Sequence, residues 1–315
     1  MPTLSRAPLR DYATVVLDSH RWDGFAPRAD DIVIATFSKC GTTWMQRIVD
    51  LLVFRSPEPR PVTAMAPWLD ATFVAPIPDV LAMLDAQTHR RFVKTHLPFD
   101  ALPVWDEVKY IHVVRDGRDA ALSMQNHQRG MKPDVTARFA EVARETGRRN
   151  IRATEIAADP RDYFRQWLDV AEKDGTGGDE IGYFAFENSY WHERMRPNLL
   201  FVHYNDLKAD LEGEMRRIAD FLAIDVAAEL WPALVHAARF DSMKRDGETL
   251  LQGMGSMFDH GAERFLHRGA NERWRDVLGQ EDVARYEALM GRKWTANQAA
   301  YMLRGRLEAG NVRTL

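Results

Sequence analysis

DIVIATFSKCGTTWMQRIVDLLVF, residues 31–54, decides the fold. Asp31 to Thr36 form a short apolar run rich in β-branched side chains, the pattern of a buried strand. A small-residue turn follows, and from Gly41 to Phe54 the apolar Trp44, Ile48, Leu51 and Leu52 recur at helical spacing. A strand, loop and helix in this order put unpaired N–H groups and the positive end of a helix dipole beside Lys39, Gly41, Thr42 and Thr43. Such a helix start binds phosphate or sulfate. A core helix that Thr42 and Thr43 merely cap fits the same local pattern, and on these residues alone both readings stand.

The same unit recurs downstream. Tyr110–Val114 (YIHVV) passes through Arg115 and Asp116 into a helical stretch carrying Ala120, Leu122 and Met124. Leu199–Val202 (LLFV) leads to Leu207, Leu211, Met215, Ile218 and Leu222 on one helical face, with Asn205 and Asp206 as the expected caps. Three such units predict an α/β fold, a central parallel β-sheet flanked by helices, with ligands at the carboxyl ends of the strands. The polar, helix-patterned stretch over about 130–197, broken at Gly175 to Gly178, reads as a helical insertion. Lys244 to Gly269, with five glycines and little periodicity, reads as a long mobile lid loop.

Composition narrows the function. With 315 residues, 45% hydrophobic and 28% charged, the chain has the make-up of an ordinary globular protein with a sizeable core. Its 42 basic and 46 acidic residues, net −4, are spread along the chain, which argues against nucleic acid as a partner. Cys40 is the only cysteine, so there is no intramolecular disulfide and no cysteine-built metal cage, and a reducing cytoplasm fits best. The first residues lack the apolar core of a signal peptide, and no stretch approaches the roughly 20 apolar residues of a membrane span. A soluble, cytoplasmic protein without a transmembrane segment is expected.

An ATP or GTP phosphate loop needs its lysine after the second glycine, whereas Lys39 precedes Gly41 by two positions. The strand-terminal aspartate that would hold magnesium is also missing, because YIHVV runs into Arg115 before Asp116. A nucleotide kinase or NTPase is therefore the disfavoured alternative, and arginine at that point suits direct anion binding. RFVKTHLPF at 91–99 puts Lys94 and His96 on one face of an extended run. Lysine stabilises negative charge there, and histidine accepts a proton near neutral pH. Trp68, Phe73, Tyr183, Phe184, Tyr190 and Trp191 are candidates for an apolar acceptor wall.

Taken together, KCGTTW (39–44), KTHLP (94–98), VVRDGRDAALS (113–123), LLFVHYNDL (199–207) and RGANERW (268–274) resemble the cytosolic-type sulfotransferases in order and spacing over about 31–294. These enzymes use adenosine 3′-phosphate 5′-phosphosulfate (PAPS). The resemblance implies a P-loop NTPase-like fold in one domain over 1–315. It also implies PAPS as donor, PAP as product, no metal, and a small acceptor: a phenol, alcohol, amine, steroid or lipid-like molecule. It places Lys39, Cys40, Gly41, Thr42, Thr43 and Trp44 at the 5′-phosphosulfate, with Trp44 against the adenine. Arg115 and Ser123 fall at the 3′-phosphate, joined by Arg268 and Gly269, while Tyr204, Phe240 and Met243 fall around the base. His96 takes the role of general base, with Lys39 and Lys94 as catalytic cations.

Three departures stand out. His267 replaces the second basic residue often found before Arg268, Ala238 replaces a threonine near the adenine, and ERW at 272–274 replaces GDW. The dimerisation pattern of many relatives is not evident around 275–287, so the oligomeric state is left open. A degenerate nucleotide-binding protein is the other alternative, and intact Lys39, Lys94 and His96 weigh against it.

Overall fold

The computed structural model of the protein describes residues 2–148, 156–173, 181–266 and 269–315. Its first half runs β1 (Leu4–Arg6), β2 (Ile32–Thr36), α1 (Thr42–Phe54), α2 (Val62–Met65), α3 (Ile77–Ala86), β3 (Phe92–Thr95), β4 (Val104–Trp105), β5 (Lys109–Val114) and α4 (Gly117–Arg129). The second half continues with α5 (Pro133–Thr146), α6 (Pro160–Lys173), α7 (Tyr183–Trp191), β6 (Leu199–His203), α8 (Tyr204–Ala209), α9 (Leu211–Phe221) and α10 (Trp231–Ala238). It closes with α11 (Phe240–Arg245), α12 (Gly247–Leu250), α13 (Gly261–Phe265), α14 (Gln280–Lys293), α15 (Ala296–Arg304) and α16 (Arg306–Ala309).

The central sheet has the order β3-β2-β5-β6, and every neighbouring pair in it is parallel. All five residues of β2 are buried. Ile32 and Ile34 pack with Met45, Ile48 and Leu52 of α1, while Val33 and Ala35 pack on the opposite face with Val93 and Phe99. Both faces are covered, which is why the strand reads as one unbroken apolar run.

From β2 the chain steps to β3 on one side and then crosses back to β5 on the other, so a topological switch lies between β2 and β5. The register pairs Ala35 with both Thr95 and His112, and Val114 with His203, which brings the carboxyl ends of the four strands level. The loop with Lys39, the Lys94–His96 segment, Arg115 and Tyr204 all leave from that one edge.

Three parts differ from the sequence-based expectation. The third helix is broken in two, and its caps are His203, which accepts from the Asn205 N–H, and Asp210, which accepts from the Gly213 N–H. Asp206 instead accepts the backbone N–H groups of Arg306 and Leu307. In the stretch read as an insertion, Gly175 to Gly178 lie outside the described residues. Phe164 and Leu168 of α6 and Phe184, Phe186 and Tyr190 of α7 belong to the main core, so polar composition there hides one buried stripe per helix. Residues 244–266 are built of short helical turns with their own apolar cluster, in which Met243, Leu250, Leu251, Ala262 and Leu266 surround Val62. Glycine content suggested open loop, yet Gly247 is buried at the start of α12, and an added Cβ there would stand in van der Waals contact with Ala262 and Leu266.

The amino ends of β2 and β3 are tied by an ion pair between Asp31 and Arg91, both about 1% exposed. Arg91 Nε donates to Asp31 Oδ1 at 2.9 Å and Nη2 donates to Oδ2 at 2.5 Å. Removing one partner leaves a buried charge without compensation. Arg91→Met is expected to cost about 3–5 kcal/mol by urea denaturation, and adding Asp31→Leu to recover most of that loss.

Candidate active site

The phosphate loop is shaped by its backbone. Lys39 has φ 72° and Gly41 φ 111°. The left-handed conformation at Gly41 turns the chain into α1, and an added Cβ would stand 2.9 Å from the Tyr204 ring, so two constraints select glycine. Thr42 Oγ1 lies 2.6 Å from Thr36 Oγ1, joining the first residue of α1 to the end of β2. Cys40 does not line the cavity formed here; its side chain is buried in the main core, burial holds its thiol well above the usual range, and its N–H bonds to the Phe37 carbonyl. Of the loop residues expected at the nucleotide, Cys40 is thus the one whose side chain faces the core.

Lys39 Nζ lies 3.4 Å from His127 Nδ1 and 4.5 Å from the centre of the Phe265 ring. Burial lowers its pKa to about 7, and the neighbouring charges of Lys94 and Arg115 act in the same direction. Lys94 Nζ sits 4.2 Å over the Trp68 ring, and burial lowers its pKa to about 8, opposed by Asp70.

His96 packs edge-on to Trp68 with ring centroids 4.8 Å apart. Its Nδ1 is 2.7 Å from the Thr36 carbonyl oxygen, an atom that only accepts, so Nδ1 carries the proton and Nε2 is the basic nitrogen. Burial, with Lys94 next, pushes the pKa of this imidazole well below its usual value, so it is neutral at physiological pH.

Arg115 reaches back across the site. It donates to the Lys39 carbonyl at 3.2 Å, to the Ala270 carbonyl at 2.9 Å and to Asn271 Oδ1 at 3.1 Å, and its guanidinium lies 4.3 Å over the Tyr204 ring. Its buried Nε has no hydrogen-bond partner among the described residues. Trp44 meets Tyr204 edge-on at 5.1 Å and donates Nε1–H to the Ala238 carbonyl at 2.8 Å. Gly269 has φ 58°, and an added Cβ would clash with the Phe240 ring at 2.6 Å. His267 and Arg268 lie outside the described residues.

One cavity of about 1200 Å³ unites these groups. Lys39, Gly41, Thr42, Thr43, Trp44, Lys94, His96, Arg115, Ser123, Tyr204, Phe240, Met243 and Gly269 all line it. Of the aromatic candidates for an acceptor wall, Trp68 and Phe73 line it, whereas Tyr183, Phe184, Tyr190 and Trp191 are buried in the main core. The rest of the apolar wall comes from residues that sequence reasoning missed, among them Met131, Phe139, Met254, Met257 and Phe258. The described lining includes eight lysines and arginines but a single acidic residue, Asp134, so the cavity suits an anion. Pockets for drug-sized ligands measure roughly 300–1,000 Å³, and this one lies above that range.

Comparison with known proteins agrees with this geometry. The sulfotransferase domain family matches residues 29–298. A glycolipid sulfotransferase of Mycobacterium bovis (strain BCG / Pasteur 1173P2) is 35% identical over 302 residues, covering 90% of this chain and 91% of its own. A crystal structure of retinol dehydratase in complex with androsterone and inactive cofactor PAP superposes with TM-score 0.66 at 22% identity, covering 88% of this chain and 84% of that one. Mouse sulfotransferase SULT7A1 complexed with PAP gives 0.63 at 19%, covering 89% and 90%. The structural likenesses bear on the fold alone; the family match and the mycobacterial relative together show that this chain belongs to the sulfotransferase domain family.

Proposed function

We propose that the chain transfers a sulfuryl group from PAPS to a hydroxyl of an amphipathic, lipid-like acceptor, with His96 as general base. The observation that carries this reading is the convergence on one cavity of a helix mouth with Lys39, a neutral imidazole whose basic nitrogen is Nε2, and Arg115 with an unpartnered buried Nε. The donor supplies an activated sulfuryl group on a phosphate leaving group. Around it, the N–H groups at the start of α1 and Lys39 hold the 5′ end, Arg115 and Ser123 hold the 3′-phosphate, and Trp44, Tyr204, Phe240 and Met243 enclose the base. His96 Nε2 accepts the proton of the acceptor hydroxyl, while Lys39 and Lys94 neutralise the charge that grows on the transferring group and the departing oxygen.

The size and walls of the cavity support a large acceptor. Beyond His96 it is walled by Trp68, Phe73 and Phe139 and continues to Val74 and Met83, which are 55% and 38% exposed. An apolar lip continuous with the cavity suits an alkyl tail leaving the site. The mycobacterial relative's action on a glycolipid is in keeping with this.

His96→Ala is expected to lower kcat by at least about 10²-fold with PAP binding retained, measured by radiolabelled sulfuryl transfer and calorimetry; undiminished turnover overturns the assignment. Because an anion raises the pKa of a lysine beside it, PAP affinity is expected to be full below the free-protein values and to fall as pH rises through about 7 for Lys39 and about 8 for Lys94. Calorimetry in two buffers of different ionisation enthalpy should show proton uptake on binding near pH 7.5. Val74→Glu with Met83→Glu is expected to lower kcat/KM about tenfold for long-chain alcohols and to leave phenol unaffected, since about 0.8 kcal/mol accompanies each buried methylene.

A further inference from the structure

Pro67 to Thr72 carry no recognisable motif, yet they clamp the segment that presents Lys94 and His96. Trp68 pairs with Lys94 in a parallel bridge, the Lys94 N–H donates to the Pro67 carbonyl at 2.9 Å, and the Leu69 N–H donates to the Lys94 carbonyl at 3.2 Å. On its other side this ribbon is held by the N-terminal segment, through the Asp18 N–H to the Asp70 carbonyl at 2.9 Å and the Thr72 N–H to the Val16 carbonyl at 3.1 Å. At its centre the Asp70 carboxylate is 0% exposed and does not line the cavity. Its Oδ2 accepts the Trp68 indole N–H at 2.8 Å and the His96 backbone N–H at 3.2 Å.

We propose that Asp70 is a positioning residue of the sulfuryl transfer: without touching donor or acceptor, its buried carboxylate fixes the His96 backbone and the Trp68 ring and supplies the negative charge that faces the Lys94 ammonium. Trp68 then touches both reacting-site groups, with the His96 ring perpendicular to its own and Lys94 over its face. A single carboxylate oxygen thus joins the His96 backbone to the ring that Lys94 covers. The charges around Lys94 are Asp70, which holds its proton on, and Lys39, which repels it, with neutral His96 beside them. Asp70 also faces Arg21, packed from the N-terminal segment, and the Tyr190 hydroxyl of α7. This inference rests on the functional reading above.

The test uses the full chain with Asp70→Asn, which keeps an acceptor oxygen and removes the charge. Lys94 acts as the ammonium, so loss of a facing anion lowers its pKa and brings the alkaline fall of activity to lower pH. In kcat/KM for the acceptor at saturating donor, the alkaline limb is expected to move down by about one unit, which is about tenfold lower activity on that limb. Activity at pH 6.5 should stay within about threefold, and an unmoved limb, even with a lowered melting temperature, overturns the proposal because it leaves only a structural role. Should that variant fail to fold, Asp70→Glu keeps the charge and displaces the oxygen by one methylene. It should keep the wild-type limb and lose at least about tenfold in kcat, and wild-type kcat overturns the proposal. Calorimetric binding of PAP to the wild-type protein separates the two readings, since a wild-type chain that binds no PAP sinks the functional assignment itself.

Discussion

Three cationic side chains, the half-buried Lys39 and Lys94 and the buried Arg115, meet at the carboxyl ends of β2, β3 and β5, and the desolvation of the two lysines there governs the rest of the site. Two lysines are held far below their ordinary pKa, a state that desolvation imposes on both, with like charge adding to it at Lys39, and that an anion relieves. The fold tolerates this because each cation is anchored by an uncharged or distant partner: the Phe265 ring and His127 for Lys39, the Trp68 ring for Lys94, backbone carbonyls for Arg115. Such partners hold the charges in place, and the one carboxylate that faces Lys94, Asp70, stays outside the cavity. A cavity of this kind is organised for a polyanion before the polyanion arrives, which is the condition for strong electrostatic stabilisation of developing charge.

The parallel sheet makes that concentration possible. Strands that all run the same way deliver their carboxyl ends to one edge, and the reversal between β2 and β5 opens a crevice there. The phosphate loop, the imidazole and the arginine need no long excursions to meet, because each is within a few residues of a fixed strand end. The aromatic and methionine-rich wall on the other side comes from α5 and the 254–265 region, which are not part of the sheet. Charged and titratable groups thus sit on the rigid layer, and the apolar lining on a methionine-rich, adaptable one.

Sequence made the first of these layers legible and the second obscure, for a physical reason. The groups at strand ends carry short-range signatures: Lys39 and Gly41 beside a helix start, Lys94 and His96 two apart in an extended run, Arg115 closing an apolar strand. Trp68 and Asp70 carry none, since they act by reaching across to the Lys94–His96 segment from a neighbouring ribbon. Tyr183, Phe184, Tyr190 and Trp191 were candidates for a pocket wall because an aromatic that packs beneath a sheet and one that lines a cavity look alike in one dimension. Cys40 lies between cavity-lining neighbours, and only the left-handed turns at Lys39 and Gly41 decide that its side chain enters the core.

The Tyr204 ring that fills the space beside Gly41 has a consequence for biogenesis. A ribosome that has released the chain as far as Arg129 has already made the phosphate loop, the Lys-Thr-His segment and Arg115, but neither Tyr204, nor the Phe240 ring beside Gly269, nor the Asn271 that receives Arg115. Lys39, Lys94 and Arg115 therefore precede in synthesis the two rings that pack on Gly41 and Gly269 and the side chain that receives the arginine.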